Sequence, residues 1–258
     1  MKRATQLMAV VIGVLIATTS CKKNAYEYTP GIPAEKTTLT KIEKDGEITE
    51  AVYNSDGSIQ SLKKKFTNNP ALLNYVFSYE NGKLKEINFG GKWKYYYTGE
   101  NITSVETYNA NGVLKYRTDF SYANGRVSEK IQSIVSASGV FPDSKTIYHY
   151  RADGNVSKKE IFQDLNNAWF KEEDVIIEEY DQYINASERF ETYPYLPAGM
   201  FSPNNPVKEI WIDRDGSTVN QTAYHVYTYD VNARPLTRKT TYKFSGYPDT
   251  FSDLKIEY

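Results

Sequence analysis

Phe120-Ser121-Tyr122-Ala123-Asn124-Gly125-Arg126-Val127 is a β-hairpin written out in one short run. Two aromatic residues spaced by two put both rings on one face of a strand, because side chains alternate across a strand. Asn-Gly supplies the two positive φ angles of a tight hairpin turn, and a branched apolar residue starts the return strand. The same phrase occurs as Phe77-Ser78-Tyr79-Glu80-Asn81-Gly82-Lys83-Leu84. With a longer turn it occurs as Tyr148-His149-Tyr150-Arg151-Ala152-Asp153-Gly154-Asn155-Val156, and in degenerate form from Tyr227 to Leu236.

Outward from these copies the chain reads as strand and turn without a helical break. Leu39 to Lys44 meets Asp45-Gly46, Ile48 to Tyr53 meets Asp56-Gly57, and Ile59 to Phe66 runs to Asn68-Asn69-Pro70. Tyr75 to Tyr79, Leu84 to Phe89, Trp93 to Tyr97, Ile102 to Tyr108 and Leu114 to Tyr122 follow, each closed by a Gly- or Asn-bearing turn. The apolar phase slips by one within Leu84-Lys85-Glu86-Ile87, which predicts a β-bulge. Ser136 to Asp143 reads as a longer loop with an exposed Phe141. Lys171 to Tyr180 has helical charge spacing, but Val175-Ile176-Ile177 and the hairpin context favour a strand. Tyr193 to Pro206 carries four prolines beside Tyr195, Leu196 and Phe201, which predicts a lid over the sheet or part of a binding surface. Strands resume from Val207 and end with Thr250 to Tyr258. The expected fold is all-β, a single curved antiparallel meander of roughly sixteen strands, open or closing into a barrel.

The 31 basic and 32 acidic residues nearly cancel and are interspersed, so no field selects nucleic acid as a partner. The 23 tyrosines suit half-buried sheet faces, since each ring brings apolar area with a polar tip. A sole cysteine, Cys21, excludes intramolecular disulfides and multi-thiolate metal sites. It follows Met1-Lys2-Arg3, an apolar run from Leu7 to Ala17, and the small residues Thr18-Thr19-Ser20. That is the order of a cleaved export signal. The expected division is therefore a signal peptide over residues 1–20, a lipidated Cys21 with an extended tether over 21–36, and a hairpin domain over 37–258. Cys21 is the expected lipid attachment site, and it makes the membrane a partner through that lipid. An ordinary secretory signal with an incidental cysteine is the alternative.

The segment before Cys21 resembles a bacterial lipoprotein signal, with Thr18 where the pattern usually has an aliphatic residue, and with Lys22-Lys23-Asn24 following as in envelope lipoproteins of the Bacteroidetes group. The Tyr-x-Tyr-turn-Gly-x-Leu units resemble the YD repeats of bacterial rearrangement-hotspot proteins, and also Bacteroidetes lipoprotein domains described as porin-like in fold. That resemblance covers Thr37 to Tyr258 and implies a hairpin array, closing into a barrel or wrapping as a shell. The Asp after Tyr is present at Tyr180-Asp181 and Tyr229-Asp230 but replaced at Tyr79-Glu80 and Tyr122-Ala123, and the chain is too short to enclose a cargo protein. A toxin-enclosing role is not implied.

Groups for catalysis are sparse. There is no cysteine nucleophile in the domain, no phosphate-binding glycine loop and no serine elbow, and no cofactor is expected. His149 and His225 have opposite strand parity, so they should point to opposite faces, share no metal and stand in solvent. Among the carboxylates from Glu172 to Glu179 and at Asp213 and Asp215, some pair will reach glycosidase spacing by chance in any large sheet. Asp213-Arg214-Asp215-Gly216-Ser217 faintly resembles a calcium loop but lacks a third acidic ligand and reads as a turn. Trp93, Tyr95 and Tyr97 share one face of one strand, and with Tyr195 and Phe201 they are the candidate ligand-binding residues; the alternative is that such rings are core.

The expected protein is a non-enzymatic, lipid-anchored envelope protein of the outer membrane, periplasmic or surface-exposed, binding a glycan, peptide or protein partner on an aromatic-rich sheet face. A purely structural envelope component is the first alternative. An outer-membrane barrel is another, suggested by the aromatic-ended Leu254-Lys255-Ile256-Glu257-Tyr258 and opposed by Lys63-Lys64-Lys65, Lys158-Lys159 and Arg238-Lys239, which put charge on both faces. A glycan-active enzyme is the last.

Overall fold

The computed structural model describes residues 38–185, 195–196 and 202–258. Sixteen antiparallel strands follow in chain order: β1 (Lys41–Lys44), β2 (Glu47–Tyr53), β3 (Ile59–Phe66), β4 (Asn69–Glu80), β5 (Lys83–Asn88), β6 (Lys92–Thr98), β7 (Asn101–Tyr108), β8 (Leu114–Ala123), β9 (Arg126–Ser136), β10 (Gly139–Tyr150), β11 (Val156–Asp164), β12 (Trp169–Ile184), β13 (Asn204–Asp213), β14 (Val219–Tyr229), β15 (Pro235–Phe244) and β16 (Thr250–Glu257). Each strand pairs with its neighbours in sequence, and β1 pairs with β16, so the meander closes into a barrel. Closure leaves no edge unpaired among the described strands. The signal-peptide, Cys21 and tether expectations, and Phe201, lie outside the described residues.

The turns are those the sequence spells. Asn81 and Asn124 take φ of 53°, and Gly82 and Gly125 take 75°, the left-handed pair a two-residue hairpin needs. The bulge expected near Leu84 lies where Tyr79 pairs with Leu84 while Ser78 pairs with Glu86, leaving Lys85 as the extra residue. Tyr53/Ile59, Tyr97/Ile102, Tyr122/Val127, Tyr150/Val156 and Tyr229/Pro235 repeat that slip. All of these bulges sit at one rim.

That rim is held by tyrosines, one from each even-numbered strand or, for Tyr258, just beyond it. The Tyr79 hydroxyl donates to the Ile59 carbonyl at 3.0 Å, Tyr97 to Leu84 at 2.8 Å, Tyr122 to Ile102 at 2.9 Å, Tyr150 to Val127 at 2.7 Å and Tyr180 to Val156 at 2.8 Å. Tyr53 donates to the Leu39 carbonyl just before β1 and Tyr258 to the Pro235 carbonyl of β15, one on each side of the closure, while Tyr229 donates to the Asp181 carboxylate. In the five internal bonds the acceptor is the residue paired with the preceding hairpin's tyrosine, so each repeat is tied to the one before. Burial pushes the Tyr97 and Tyr122 hydroxyls up to about 12, which keeps them protonated donors. Their folded values exceed the unfolded one of about 10. This contribution is therefore fully present below pH ~10 and is lost as pH rises through about 12. Tyr122→Phe removes one hydroxyl and leaves the Ile102 carbonyl short of a donor, an expected loss of about 1 kcal/mol by urea denaturation at neutral pH. The loss should shrink in alkaline buffer; an equal loss at both pH values would count against the rim bond as its cause.

Three local expectations are corrected. Ser136 to Asp143 is not a long loop: β9 runs to Ser136, β10 restarts at Gly139, and Pro142 is accommodated where the register shifts between Pro142 and Ser144. Likewise β4 begins at Asn69, and β13 begins at Asn204 with Pro206 placed at an irregular pairing with Tyr180. Prolines are tolerated there because those positions do not donate to a regular ladder. Lys171 to Tyr180 lies in a strand, as its β-branched triplet indicated.

Pairing register assigns the faces. The outer face carries ion pairs: Arg117–Asp119 and Lys208–Glu178 at mid-strand, Lys65–Glu50 and Lys41–Glu257 toward strand ends, with His149, Lys158, Glu160, Lys171 and Asp174 in one strip across β10 to β12. The inner face near the tyrosine rim is a packed core in which Leu62, Leu84, Ile87, Trp93, Val105 and Val156 are each at most 2 % exposed. Sixteen-stranded porins leave an aqueous channel. Here large side chains occupy this end of the lumen.

Candidate functional site

The aromatic candidates lie inside the barrel. Trp93 and Tyr95 point inward from β6 and are 1 % and 6 % exposed. Tyr195, 5 % exposed, stands edge-on to Tyr75 and Trp93 at 5.4 and 5.5 Å between ring centroids. The Tyr95 hydroxyl donates to the Tyr195 carbonyl at 2.6 Å. Tyr195 and Leu196 belong to the connection between β12 and β13, across the barrel from β6, so they bring apolar mass to the far wall of the lumen. The expectation of an exposed ring platform is thus corrected: closure turns that face inward, and the rings satisfy one another there. Tyr97 is half-buried and spends its hydroxyl on the rim.

The histidines diverge as parity required. His149 faces outward and hydrogen-bonds Glu160 at 2.8 Å. His225 faces inward and is buried, which corrects the expectation that both stand in solvent. Its Nδ1 lies 2.9 Å from Thr240 Oγ1 and its Nε2 lies 3.2 Å from Glu209. Burial opposes ionisation of Glu209, but the His225 hydrogen bond and the charges of Lys159 and Arg238 hold its carboxyl below the usual range. Asp213 to Ser217 is a turn: Asp215 accepts from the Ser217 and Thr218 amides at 2.8 Å, and hydrogen bonds from Thr218 and Ser217 bring its carboxyl down to about 2. Among the described residues no group of three His, Cys, Asp or Glu side chains could hold a metal. Glu173 and Asp213 pair in register on β12 and β13, and burial, Glu172 and Asp213 raise the Glu173 carboxyl above its ordinary value.

The end opposite the tyrosine rim is open. Register places Phe66, Leu73, Tyr116, Ile134, Phe141 and Phe170 on the luminal side of β3, β4, β8, β9, β10 and β12, yet their exposures run from 38 % to 52 %. An exposed apolar ring around a concave mouth is what a binding site looks like before it is filled. Inside the mouth lies a cavity of about 430 Å³, lined by Ile42, Lys44, Asp45, Glu47, Thr49, Lys64 and Phe66. The Lys64 ammonium is 2.7 Å from Glu47 and lies over the Tyr195 ring at 5.6 Å. Sequence reasoning missed this ring, because its members sit on different hairpins and share no motif. Only their exposure, set by their height in the barrel, groups them.

No known protein family matches the chain, and no curated protein sequence does. Solved structures match. The neighbours are porin-like proteins of Bacteroides. One, a crystal structure of a porin-like protein from Bacteroides uniformis ATCC 8492, is 17 % identical, with a TM-score of 0.59 over 86 % of this chain and 97 % of that one. A second, from Bacteroides vulgatus ATCC 8482, is 12 % identical over 85 % of this chain and 98 % of that one, at a TM-score of 0.49. The likeness to the first establishes a porin-like barrel fold. It adds nothing to the resemblance to YD repeats.

Proposed function

We propose that this protein is a non-enzymatic, lipid-anchored component of the bacterial cell envelope. Its barrel stands in water and takes a glycan, peptide or protein partner at its open mouth. The observation that carries the reading is the mouth itself, where apolar side chains on the luminal side remain exposed and a cavity of about 430 Å³ lies beside Phe66, while the other rim is packed shut. Supporting a barrel in water is its outer face. A lipid-facing barrel wall needs an apolar band, and each Lys or Arg at mid-bilayer costs about 2–4 kcal/mol. Lys41, Lys65, Arg117, Lys158 and Lys208 all point outward in ion pairs with acids that suit water.

An outer-membrane barrel is the second reading. It draws on the porin-like description of the fold neighbour and on the strand number. One experiment separates the two. With Cys21 replaced by Ser so that no lipid is added, the protein should extract and purify as a monomer without detergent. A requirement for detergent would favour the membrane barrel. For the mouth, saturable changes in intrinsic fluorescence with a glycan or peptide panel are expected, and they should vanish in a Tyr116→Ser/Phe141→Ser variant. Binding that survives in that variant would move the site elsewhere, and no saturable binding would leave a structural envelope role.

A further inference from the structure

Two luminal rows of β1 to β3 frame the cavity at the mouth. Pairing register sets Lys44 opposite Glu47 and Glu47 opposite Phe66 in the row nearer the opening, and Ile42 opposite Thr49 and Thr49 opposite Lys64 in the row below. The next row, Ala51, Leu62 and Tyr75, lies in or against the packed core. Asp45, in the turn between β1 and β2, completes the lining. Its two carboxylate oxygens are both engaged across the seam, one by the Ser252 hydroxyl at 2.6 Å and the other by the Asp253 amide at 3.1 Å.

Glu47 and Lys64 keep capacity to spare. Glu47 Oε1 takes the Lys64 ammonium at 2.7 Å and the Thr49 hydroxyl at 3.4 Å, whereas Oε2 takes no hydrogen bond among the described residues. An ammonium carries three donors, and Glu47 uses one of those on Lys64. The ammonium also lies over the Tyr195 ring at 5.6 Å, so it is held from two sides. An open donor and an open acceptor therefore stand next to each other, with the Phe66 ring, 38 % exposed, beside them. Lys44 and Lys64 are matched by Asp45 and Glu47, so the lining has no net charge with which to select an ion. An extended peptide finds no edge to join among the described strands, and a helix would want an apolar groove where four of the seven lining residues are charged.

We propose that this cavity is a sugar subsite, holding the uncharged terminal pyranose of an oligosaccharide. Of two neighbouring ring hydroxyls, one accepts from Lys64 and the other donates to Glu47 Oε2, and the C–H face of the ring packs on Phe66. Hydrogen bonds to an ammonium and a carboxylate are the stronger kind, and a neutral diol supplies both partners at once. The apolar ring supplies contact area without asking for a polar partner. The remaining sugar units run across the mouth toward Tyr116 and Phe141. The inference deepens the proposed function and rests on its open mouth.

The test uses the Cys21→Ser protein and isothermal titration calorimetry with neutral trisaccharides of glucose, mannose, galactose and N-acetylglucosamine, beside a set of short uncharged peptides. At least one trisaccharide should bind saturably. Glu47→Gln, Lys64→Met and Phe66→Ala should each weaken it at least tenfold, while Phe66→Tyr, which keeps the ring, should bind as the parent does. A trisaccharide lacking one of the two hydroxyls on its terminal unit should also bind at least tenfold more weakly, because the site is left with an unpaired polar group. That comparison uses the unaltered protein and so does not depend on the fold of any variant. No binding by any trisaccharide, parent-like binding in the Glu47→Gln/Lys64→Met double variant, or indifference to the missing hydroxyl at every terminal position would each overturn the subsite. If a peptide binds instead, depends on Tyr116 and Phe141, and ignores the Glu47 and Lys64 variants, the subsite fails while the mouth as a binding site stands. If a trisaccharide needs Glu47 and Lys64 but ignores the Tyr116→Ser/Phe141→Ser change, the subsite stands and the exposed ring of the mouth loses its role. If nothing binds at all, both fail.

Discussion

Trp93→Ala is expected to destabilise the protein by about 3–5 kcal/mol, the range for deleting a large aromatic side chain from a packed core. Trp93 is 1 % exposed and lies at the centre of a ring cluster: 4.6 Å from Phe89, 5.7 Å from Tyr75 and 5.5 Å from Tyr195 between centroids. Truncation leaves a cavity that the strands cannot close over, because β5, β6 and β7 are fixed by their ladders. A domain of marginal stability would lose a large share of its total. Urea titration followed by circular dichroism reads the effect directly. Trp93→Phe, which keeps a ring against Tyr195, should recover more than half of the loss. If both variants unfold at the parent's midpoint, the cluster is not part of the cooperative core.

Removal of β16 by ending the chain after Gly246 should have the larger consequence, loss of the monomeric fold. Leu254 and Ile256 fill the core at 1 % and 4 % exposure, and β16 supplies the ladder partners of both β1 and β15. Without it, the four residues of β1 and the ten of β15 become edges with open hydrogen-bonding groups, which invite pairing between chains. The Ser252 hydroxyl bond to Asp45 and the Lys41–Glu257 ion pair across the seam disappear as well. Size-exclusion chromatography should show aggregates or nothing soluble. A gentler probe, Ile256→Asp, retains the strand and places a carboxylate opposite Ile42, with an expected cost of about 3 kcal/mol or more for a buried unpaired charge. A monomeric, cooperatively unfolding protein lacking β16 would mean that the meander holds its curvature without closing.

The Tyr-x-Tyr-turn-apolar phrase determined a great deal by itself, because everything it encodes is local. Alternation of side chains fixes which residues share a face, Asn-Gly fixes turn geometry at Asn81-Gly82 and Asn124-Gly125, and a one-residue slip at Lys85 fixes a bulge. Opposite parity of His149 and His225 followed from the same rule, and it holds. What sequence could not supply is which face becomes the inside. That depends on β1 meeting β16, a contact between residues more than two hundred positions apart, such as Lys41 and Glu257. Once the barrel closes, Trp93 and Tyr95 become core, His225 becomes buried and Tyr195 reaches Tyr95 from a hundred residues away.

The mouth ring was illegible for the same reason. Phe66, Tyr116, Ile134 and Phe141 look in sequence like any other strand-end residues. The local code states the parity of each residue but not its height within a closed lumen. Height decides how much water a side chain meets and which charges it faces. Sequence alone thus determined most of the hairpins, their Asn-Gly turns, the bulge at Lys85 and the strand number. The closed tertiary structure alone decided inside from outside, the sealed rim from the open one, and which polar groups share a space with too little water to be indifferent to one another.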